Sequence, residues 1–295
     1  MMRRALPRRR TRLVLLAALA ACLVVALVAA QGAFADAFTP ESGGSQQAED
    51  IDTLYKITLY VAIVIFLIVE GTLIWSLARH RARRSDPLGA QIRGNTPLEL
   101  GWTVGAAMIL VVLTVITFLY LDDIKNPPPS DADGLATQAQ FASIDQPKPP
   151  AGGGPTLNIQ VDGRQYLWRY DYPGDEPLYS FYEMVVPTGT TITLDVIASD
   201  VIHSWWIPKL GGKVDGVPGH VNKTWFKVPR GKEGTYRGQC AELCGANHAD
   251  MRAAVRAVTP EEFTSWAERQ RADIKTAGED LGKQRERRLR AGETD

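Results

Sequence analysis

The sequence predicts a two-helix transmembrane hairpin followed by an all-β sandwich. Two apolar blocks, at about residues 54–77 and 98–121, are each long enough for a membrane-spanning helix of roughly 20 residues. A later segment, residues 156–260, alternates turns with short runs rich in β-branched and aromatic residues. About a hundred residues with this spacing are typical of a small β-sandwich or barrel.

Residues 1–35 have the layout of a secretory signal peptide. A basic start precedes an apolar run over residues 13–30, and the small residues Ala33 and Ala35 fit a cleavage site. Two other interpretations stay open at this point. The segment could remain as an uncleaved membrane anchor, or it could be a lipoprotein-type signal that ends at Cys22.

The charges around the two apolar blocks predict the orientation of the hairpin, residues 51–125. The connecting loop "ARHRARRSD" is rich in arginine, whereas "DDIKNPPPSDAD", after the second block, is mostly acidic. Arginine-rich loops stay in the cytoplasm. We therefore expect both ends of the hairpin, with the polar lead-in 36–50 and the sandwich, on the outer side of a bacterial-type plasma membrane.

Two further segments have distinct compositions. Residues 126–155 are rich in Pro, Gly and Ala, which predicts a linker that does not fold alone. The tail, residues 261–295, is highly charged and follows a plausible helix start at "TPEEF". The formal net charge of the chain is zero, so charge gives no reason to expect a nucleic-acid partner.

The stretch "GQCAELCGANHADM", residues 238–251, combines two cysteines with a histidine and a methionine. Three interpretations compete. Outside the membrane the cysteines could form a disulfide, because disulfides persist there. A zinc site is a second option, although methionine is an unusual zinc ligand. A copper centre is the third, since thiolate, imidazole and thioether groups suit copper.

A copper site on a β-sandwich would need a further ligand from a distant strand end. The chain has four histidines, and His80 lies in the cytoplasmic loop. His203 ends an apolar strand and is followed closely by Trp205 and Trp206, which could shield a metal. It is therefore a better candidate than His220, which lies in a turn-like segment.

The segments "VIHSWWIPKLGGKVDGVPG" and "TYRGQCAELCGANHADM" resemble subunit II of haem-copper cytochrome c oxidases. The resemblance covers nearly all of residues 51–260 and implies a cupredoxin-like sandwich with a binuclear copper centre, CuA. Two cysteine thiolates would bridge two copper ions. The implied metal ligands are His203, Cys240, Glu242 (through its backbone carbonyl), Cys244, His248 and Met251. The family also implies that the Glu242 carboxylate binds a magnesium ion at the boundary with subunit I.

The resemblance assigns roles to other residues as well. In "GRQYLWRYDY", Tyr166 stands where the family has the tryptophan that receives electrons, while Trp168 is kept. Two alternatives stay open: Tyr166 serves as an exposed aromatic contact, or a neighbour such as Trp205 or Trp206 takes over the role. Glu99 resembles the family glutamate at the mouth of a proton path into subunit I, although an acidic residue in the first turn of a helix also complements the helix dipole. Four acidic residues resemble a docking surface for cytochrome c: Asp171, Asp175, Glu176 and Asp200.

The function implied by the family is electron transfer from cytochrome c to haem in subunit I, where oxygen is reduced to water with proton pumping. Subunits I and III, cytochrome c and the lipid bilayer are the implied partners. The chain alone is not expected to reduce oxygen, because its apolar blocks contain no histidine to bind haem. Two rivals remain. One is a quinol oxidase subunit II, which lacks the copper ligands. The other is a copper chaperone or thiol-redox membrane protein that uses Cys240 and Cys244 reversibly.

Overall fold

The computed structural model describes residues 39–80, 91–132 and 156–291. The signal-peptide segment with Cys22, most of the arginine-rich loop and most of the Pro/Gly-rich linker lie outside the described residues. The chain divides into the units 1–40 and 41–295, and the elements below belong to the second unit.

Two long helices form the hairpin. Helix α1 comprises Gln46–Arg79 and helix α2 comprises Thr96–Lys125. Helix α1 begins inside the segment predicted as a polar lead-in, because the Ser45 side chain caps it by accepting a hydrogen bond from the Ala48 amide. Both helices are long and apolar enough to cross a membrane, and their most apolar stretches are unburied. The predicted two-helix hairpin is therefore confirmed.

The rest of the fold is a β-sandwich, as predicted. Among the described residues, the strands form two five-stranded sheets, ordered β3-β2-β1-β5-β8 and β4-β10-β9-β6-β7. The strands are β1 (Thr156–Arg164), β2 (Leu167–Asp171), β3 (Tyr179–Phe181), β4 (Glu183–Pro187), β5 (Thr191–Ala198), β6 (His203–Trp206), β7 (Val214–Gly216), β8 (Asn222–Lys227), β9 (Gly234–Cys240) and β10 (Arg252–Val258).

The core lies between the two sheets and follows from the alternation of side chains along each strand. In β2, Trp168 and Tyr170 are fully buried while their neighbours are partly exposed. Ile159 of β1 and Leu194 of β5 are likewise fully buried, and Val255 of β10 meets them from the second sheet. The inward faces of the strands thus supply a continuous apolar core.

The strand pairing determines which loops lie together. Strand β1 pairs in parallel with β5, with Gly163 opposite Ala198. The turn after β1 and the segment that leads from β5 to β6 therefore lie at the same end of one sheet. In the other sheet β6 pairs with β9, with Trp205 opposite Cys240. The start of β6 consequently lies beside the end of β9.

Helix α3 comprises Pro260–Arg290 and closes one side of the sandwich. A capping box between Thr259 and Glu262 starts it. Phe263 is buried against the sandwich, and the Tyr172 ring lies 5.2 Å from the ring of Trp266. From residue 275 to residue 290 the helix is exposed, so its charged second half is a solvated helix.

The start of α1 and the end of α2 are attached to the sandwich by hydrogen bonds. The side-chain amide of Gln47 and the indole N–H of Trp225 both donate to the Ile124 carbonyl, each at 3.0 Å. The Ser45 hydroxyl donates to the Leu210 carbonyl at 2.5 Å. These bonds connect the start of α1 and the end of α2 to strands and loops of the β-domain.

Candidate metal centre

The two cysteine sulfur atoms lie at the middle of a cluster of metal-binding groups. The Sγ atoms of Cys240 and Cys244 are 3.9 Å apart. A disulfide bond is about 2.05 Å long, so the two cysteines are free thiols in this arrangement. The ligating atoms of His203, Cys240 and Cys244 all lie within 4.8 Å of one another, and the three residues are buried.

Three more of the predicted ligands surround the same two sulfur atoms. The Glu242 carbonyl oxygen lies 3.3 Å from Cys240 Sγ. His248 Nδ1 lies 3.6 Å and Met251 Sδ 3.8 Å from Cys244 Sγ. His203 Nδ1 lies 3.9 Å from Cys240 Sγ. The structure therefore brings all six predicted ligand residues together.

The loop between β9 and β10, residues 241–251, carries most of these groups, and we call it the metal loop. It is closed at its base, because the Cys240 amide donates to the Met251 carbonyl at 2.9 Å. A short 3-10 helix, His248–Asp250, turns the chain back toward the sheet. The Ala241 amide donates to the Ser204 carbonyl at 2.9 Å, which attaches the loop to β6.

Asp200 orients His203 from the side away from the sulfur atoms. Its Oδ1 lies 2.8 Å from His203 Nε2. Partial burial alone would raise the pKa of Asp200, but hydrogen bonds from the Gln165 amide, from His203 and from the Val201 amide lower it. An ionised carboxylate only accepts hydrogen bonds, so Nε2 carries the proton. The lone pair of Nδ1 then faces Cys240 and is free to bind a metal.

The centre is dry on its inner side. His203 and Met251 are 0 % exposed, and Cys244 is 5 % exposed. Burial, together with the neighbouring Cys240, raises the pKa of Cys244 to about 11. Without a metal the Cys244 thiol is therefore protonated at neutral pH. A metal ion binds the thiolate, so binding would release this proton.

The donor set fits a metal. Metal–thiolate bonds are roughly 2.3 Å long, so two such bonds from one ion span up to roughly 4.6 Å. The 3.9 Å between the two sulfur atoms lies within that span. Sulfur and imidazole donors in a dry site are consistent with copper, and the buried thioether of Met251 favours copper over zinc.

The outer side of the centre is open to solvent. The Glu242 side chain is exposed, while its carbonyl faces Cys240. Two apolar side chains next to ligands are also exposed, Ile202 at 48 % and Leu243 at 78 %. An apolar rim beside a buried metal-binding cluster is a surface on which another protein can come close to the metal.

Tyr166 and Trp168 take different positions. Trp168 is fully buried, with its ring edge-on to His203 at a centroid distance of 5.8 Å. Tyr166 is partly buried at the edge of the core, and its hydroxyl accepts a hydrogen bond from the Ala246 amide at 3.1 Å. Trp205 is buried in the core, whereas Trp206 is partly exposed. Of these four aromatic residues, Tyr166 is thus partly exposed and is hydrogen-bonded to the metal loop.

Glu99 lies far from this cluster in the chain, in the first turn of α2. It is exposed, and its carboxylate accepts a hydrogen bond from the Asn95 amide at 3.0 Å. This contact helps to start the helix, as expected for an acidic residue near a helix N-terminus.

The four acidic residues are not brought together. Asp200 contacts His203, whereas Asp171 ends β2 and forms an ion pair with Arg169 at 2.7 Å. Strand β2 starts at the end of the sandwich where the metal loop lies. Its five residues span four steps of about 3.3 Å each, so the far end of β2 lies about 13 Å from that end. Asp175 and Glu176 follow that far end and are exposed.

The sequence did not reveal Gln165, which contacts both Asp200 and the carbonyl of Cys244. It also suggested a docking role for Asp200 rather than a contact with the ligand His203. The three-residue spacing between Asp200 and His203 was the sequence feature that could have indicated this contact. For Gln165 there was none, because its contact with Asp200 depends on the pairing of β1 with β5 and its contact with Cys244 depends on the packing of the two sheets.

Two family patterns match the chain. The transmembrane domain of cytochrome C oxidase subunit II matches residues 32–119, and the periplasmic domain of the same subunit matches residues 176–258.

Individual relatives agree with this match. A "Cytochrome c oxidase subunit 2" from Thermostichus vulcanus is 34% identical over 288 residues, which cover 88% of this chain and 86% of the relative. A protein with the same description from Alkalihalophilus pseudofirmus is 31% identical over 243 residues, or 81% of this chain and 64% of that relative. The chain thus spans less than two thirds of the second protein.

A solved structure is similar to part of the chain. The crystal structure of the periplasmic domain of subunit II of cytochrome oxidase from Bradyrhizobium japonicum is 38% identical, with a TM-score of 0.38. The match covers 40% of this chain and 94% of that one.

Proposed function

Because the chain belongs to the cytochrome c oxidase subunit II family, we propose that it accepts single electrons at a binuclear copper centre and passes them to haem in subunit I. The observation that carries the proposal is the cluster around Cys240 and Cys244. Each of the other four ligand residues places one donor atom within 3.9 Å of a cysteine sulfur. A quinol oxidase subunit would not need this set of donors.

When bound, the copper pair would supply one-electron redox chemistry. The ligands proposed for it are His203, Cys240, the Glu242 carbonyl, Cys244, His248 and Met251. The chain holds these groups on a rigid β-sandwich and excludes water from the inner side of the site. A fixed donor set needs little rearrangement when the charge of the centre changes, which favours fast electron transfer.

The electron donor is proposed to be a c-type cytochrome that docks on the open side of the centre. The exposed side chains of Ile202 and Leu243 adjoin two proposed ligands in sequence, and the partly exposed Tyr166 is hydrogen-bonded to the metal loop. We therefore assign Tyr166 as the aromatic residue nearest to the docked donor. Trp168 packs against His203 in the core and is assigned as an inner element of the relay.

The partners and location follow from the same proposal. The two helices anchor the chain in a bacterial-type plasma membrane against subunits I and III, with the copper domain outside. The exposed Glu242 carboxylate is free to bind magnesium at the boundary with subunit I. Loss of bound manganese, used as a spectroscopic substitute for magnesium, in a Glu242→Gln complex would support this site, and unchanged manganese binding would contradict it.

Glu99 is proposed to deliver protons into subunit I. The test compares Glu99→Gln with Glu49→Gln, a control in the first turn of the other helix, in the intact complex. We expect slower turnover only for Glu99→Gln. Equal turnover in both variants would assign Glu99 to helix capping alone.

The experiment that tests the proposed function is the rapid reduction of the intact oxidase complex by a reduced c-type cytochrome. The copper absorbance should change before the haem of subunit I is reduced. In a complex that carries Cys244→Ser, haem reduction should be lost or become far slower. Haem reduction at the normal rate in that variant would contradict the proposal.

A further inference from the structure

The turn between β1 and β2, formed by Gln165 and Tyr166, contacts both parts of the metal centre. The Gln165 backbone amide donates to Asp200 Oδ2 at 2.7 Å, and its side-chain amide donates to the Cys244 carbonyl at 2.6 Å. The Tyr166 hydroxyl accepts from the Ala246 amide at 3.1 Å. One turn thus reaches the carboxylate that orients His203 and the loop that holds Cys244.

The two cysteines are held in different ways. Cys240 ends strand β9 and lies opposite Trp205 of β6, so the sheet itself determines its distance from His203. Cys244 lies four residues further on, in the metal loop and outside any strand. Its position depends on contacts that the loop makes with neighbouring segments, and the bond from Gln165 is made directly to its carbonyl.

The metal loop fits closely against this turn. A Cβ atom added to Gly245 would lie 2.6 Å from the Tyr166 hydroxyl oxygen and 2.9 Å from Gln165 Nε2. Gly245 also has a φ of 132°, which side chains rarely adopt. The glycine therefore lets the backbone after Cys244 approach the turn closely enough for the hydrogen bonds to form.

We propose that Gln165 is a positioning residue that holds Cys244 at the correct distance from Cys240 and His203 for metal binding. The inference rests on the proposed function, because it assigns Gln165 to the same copper centre. Gln165 acts through the Cys244 carbonyl and the Asp200 carboxylate and does not itself bind the metal. Its side chain is exposed, so water competes for the bond and the expected effect is moderate.

The test uses the full-length chain in detergent, loaded with copper ions, and measures the rate at which an excess of chelator removes the copper. Gln165→Ala removes the side-chain donor but keeps the backbone bond to Asp200. It should still bind two copper ions and lose them roughly three- to tenfold faster than the unaltered chain. Gln165→Glu keeps the size of the side chain but removes the donor, and it should behave in the same way.

The matched control is Gln160→Ala, at an exposed position on strand β1. It should release copper at the unaltered rate. The melting temperature of the metal-free chain should be the same for all three variants. A loss of melting temperature in the two Gln165 variants, with unchanged copper release, would show a general structural role and overturn the proposal.

A second readout does not involve copper. In the metal-free chain, with Cys22 replaced by Ser, the rate of alkylation of the two buried thiols reports how firmly the loop is held. Gln165→Ala should react several-fold faster than Gln160→Ala.

The outcomes separate the two proposals. If the unaltered chain binds copper as a pair and both Gln165 variants match it in copper release and thiol reactivity, the positioning role is wrong and the proposed function stands. If the unaltered chain gives no binuclear copper signal, the proposed function fails, and the role of Gln165 in a copper centre fails with it. Faster release and faster alkylation together support the inference.

Discussion

Asp200 Oδ1 and His203 Nε2 lie 2.8 Å apart, on the side of the imidazole that faces away from Cys240. Because this bond fixes the proton on Nε2, it leaves Nδ1 available toward the sulfur atoms. A residue that the sequence suggested as part of a docking surface therefore has a direct effect on a proposed copper ligand.

Replacement of Asp200 by Ala should weaken copper binding. Loss of a carboxylate that orients a ligating histidine typically costs about 10- to 100-fold in metal affinity. Competition with a chelator of known affinity measures the change. Asp175→Ala, at an exposed position beyond the far end of β2, is the control and should bind copper normally. Equal affinities in the two variants would show that Asp200 does not orient His203.

Replacement of Gly245 by Ala should displace the metal loop. The new Cβ would meet the Tyr166 hydroxyl at 2.6 Å, and the residue would keep a positive φ. Such strain costs roughly 1–3 kcal/mol, so we expect a lower melting temperature and weaker copper binding. Gly278→Ala is the control, because Gly278 lies in exposed helix α3 with nothing within 4 Å of a Cβ. That change should leave both properties intact or slightly stabilise the helix.

Replacement of Met251 by Leu should separate packing from ligation. Both side chains have similar volumes, so the loss of stability should stay below about 1.5 kcal/mol. The thioether near Cys244 would disappear, and we expect a changed copper spectrum and reduction potential. Met184→Leu is the control, since Met184 is equally buried but lies in the core. Its copper spectrum should not change, and an identical spectrum for Met251→Leu would argue against the thioether as a ligand.

Tyr166 provides a test of the path by which electrons reach the centre. Tyr166→Ala should slow reduction by a c-type cytochrome roughly fivefold, because tyrosine is enriched among the few interface residues whose truncation costs more than about 1 kcal/mol. Tyr166→Trp keeps a large aromatic side chain at this position and should keep the rate or raise it. Stopped-flow measurements at low and high salt give both rates. If Ala and Trp at this position give the same rate, electrons enter elsewhere.

Much of the fold was predictable because its signals are local. The length of the two apolar blocks predicted two helices, and the structure has them as Gln46–Arg79 and Thr96–Lys125. Short runs rich in β-branched and aromatic residues, separated by turns, predicted the sandwich. The start of α1 was missed because the capping side chain of Ser45 lies in a polar segment that composition alone assigns to a loop.

The proposed ligand residues were predicted partly from their types and partly from the family resemblance. Five of the six lie within residues 240–251, where the two cysteines, the histidine and the methionine left a disulfide, zinc and copper open, and the resemblance supplied the full set. His203 lies 37 residues before Cys240, and its tryptophan neighbours singled it out. The residues around the ligands were not predictable in this way. Gln165 reaches Cys244 across 79 residues of sequence, and the two residues come together only because the sheet that contains β1 packs against the sheet that contains β9 and β10.

The central claim is that Cys240 and Cys244 together hold two copper ions. The most direct measurement is the copper content and electron paramagnetic resonance spectrum of the full-length chain, compared with Cys244→Ser. We predict two copper ions per chain and a signal from one unpaired electron shared by both, lost in Cys244→Ser. One copper ion per chain with a mononuclear signal in the unaltered protein, or a binuclear signal that persists in Cys244→Ser, would contradict the account.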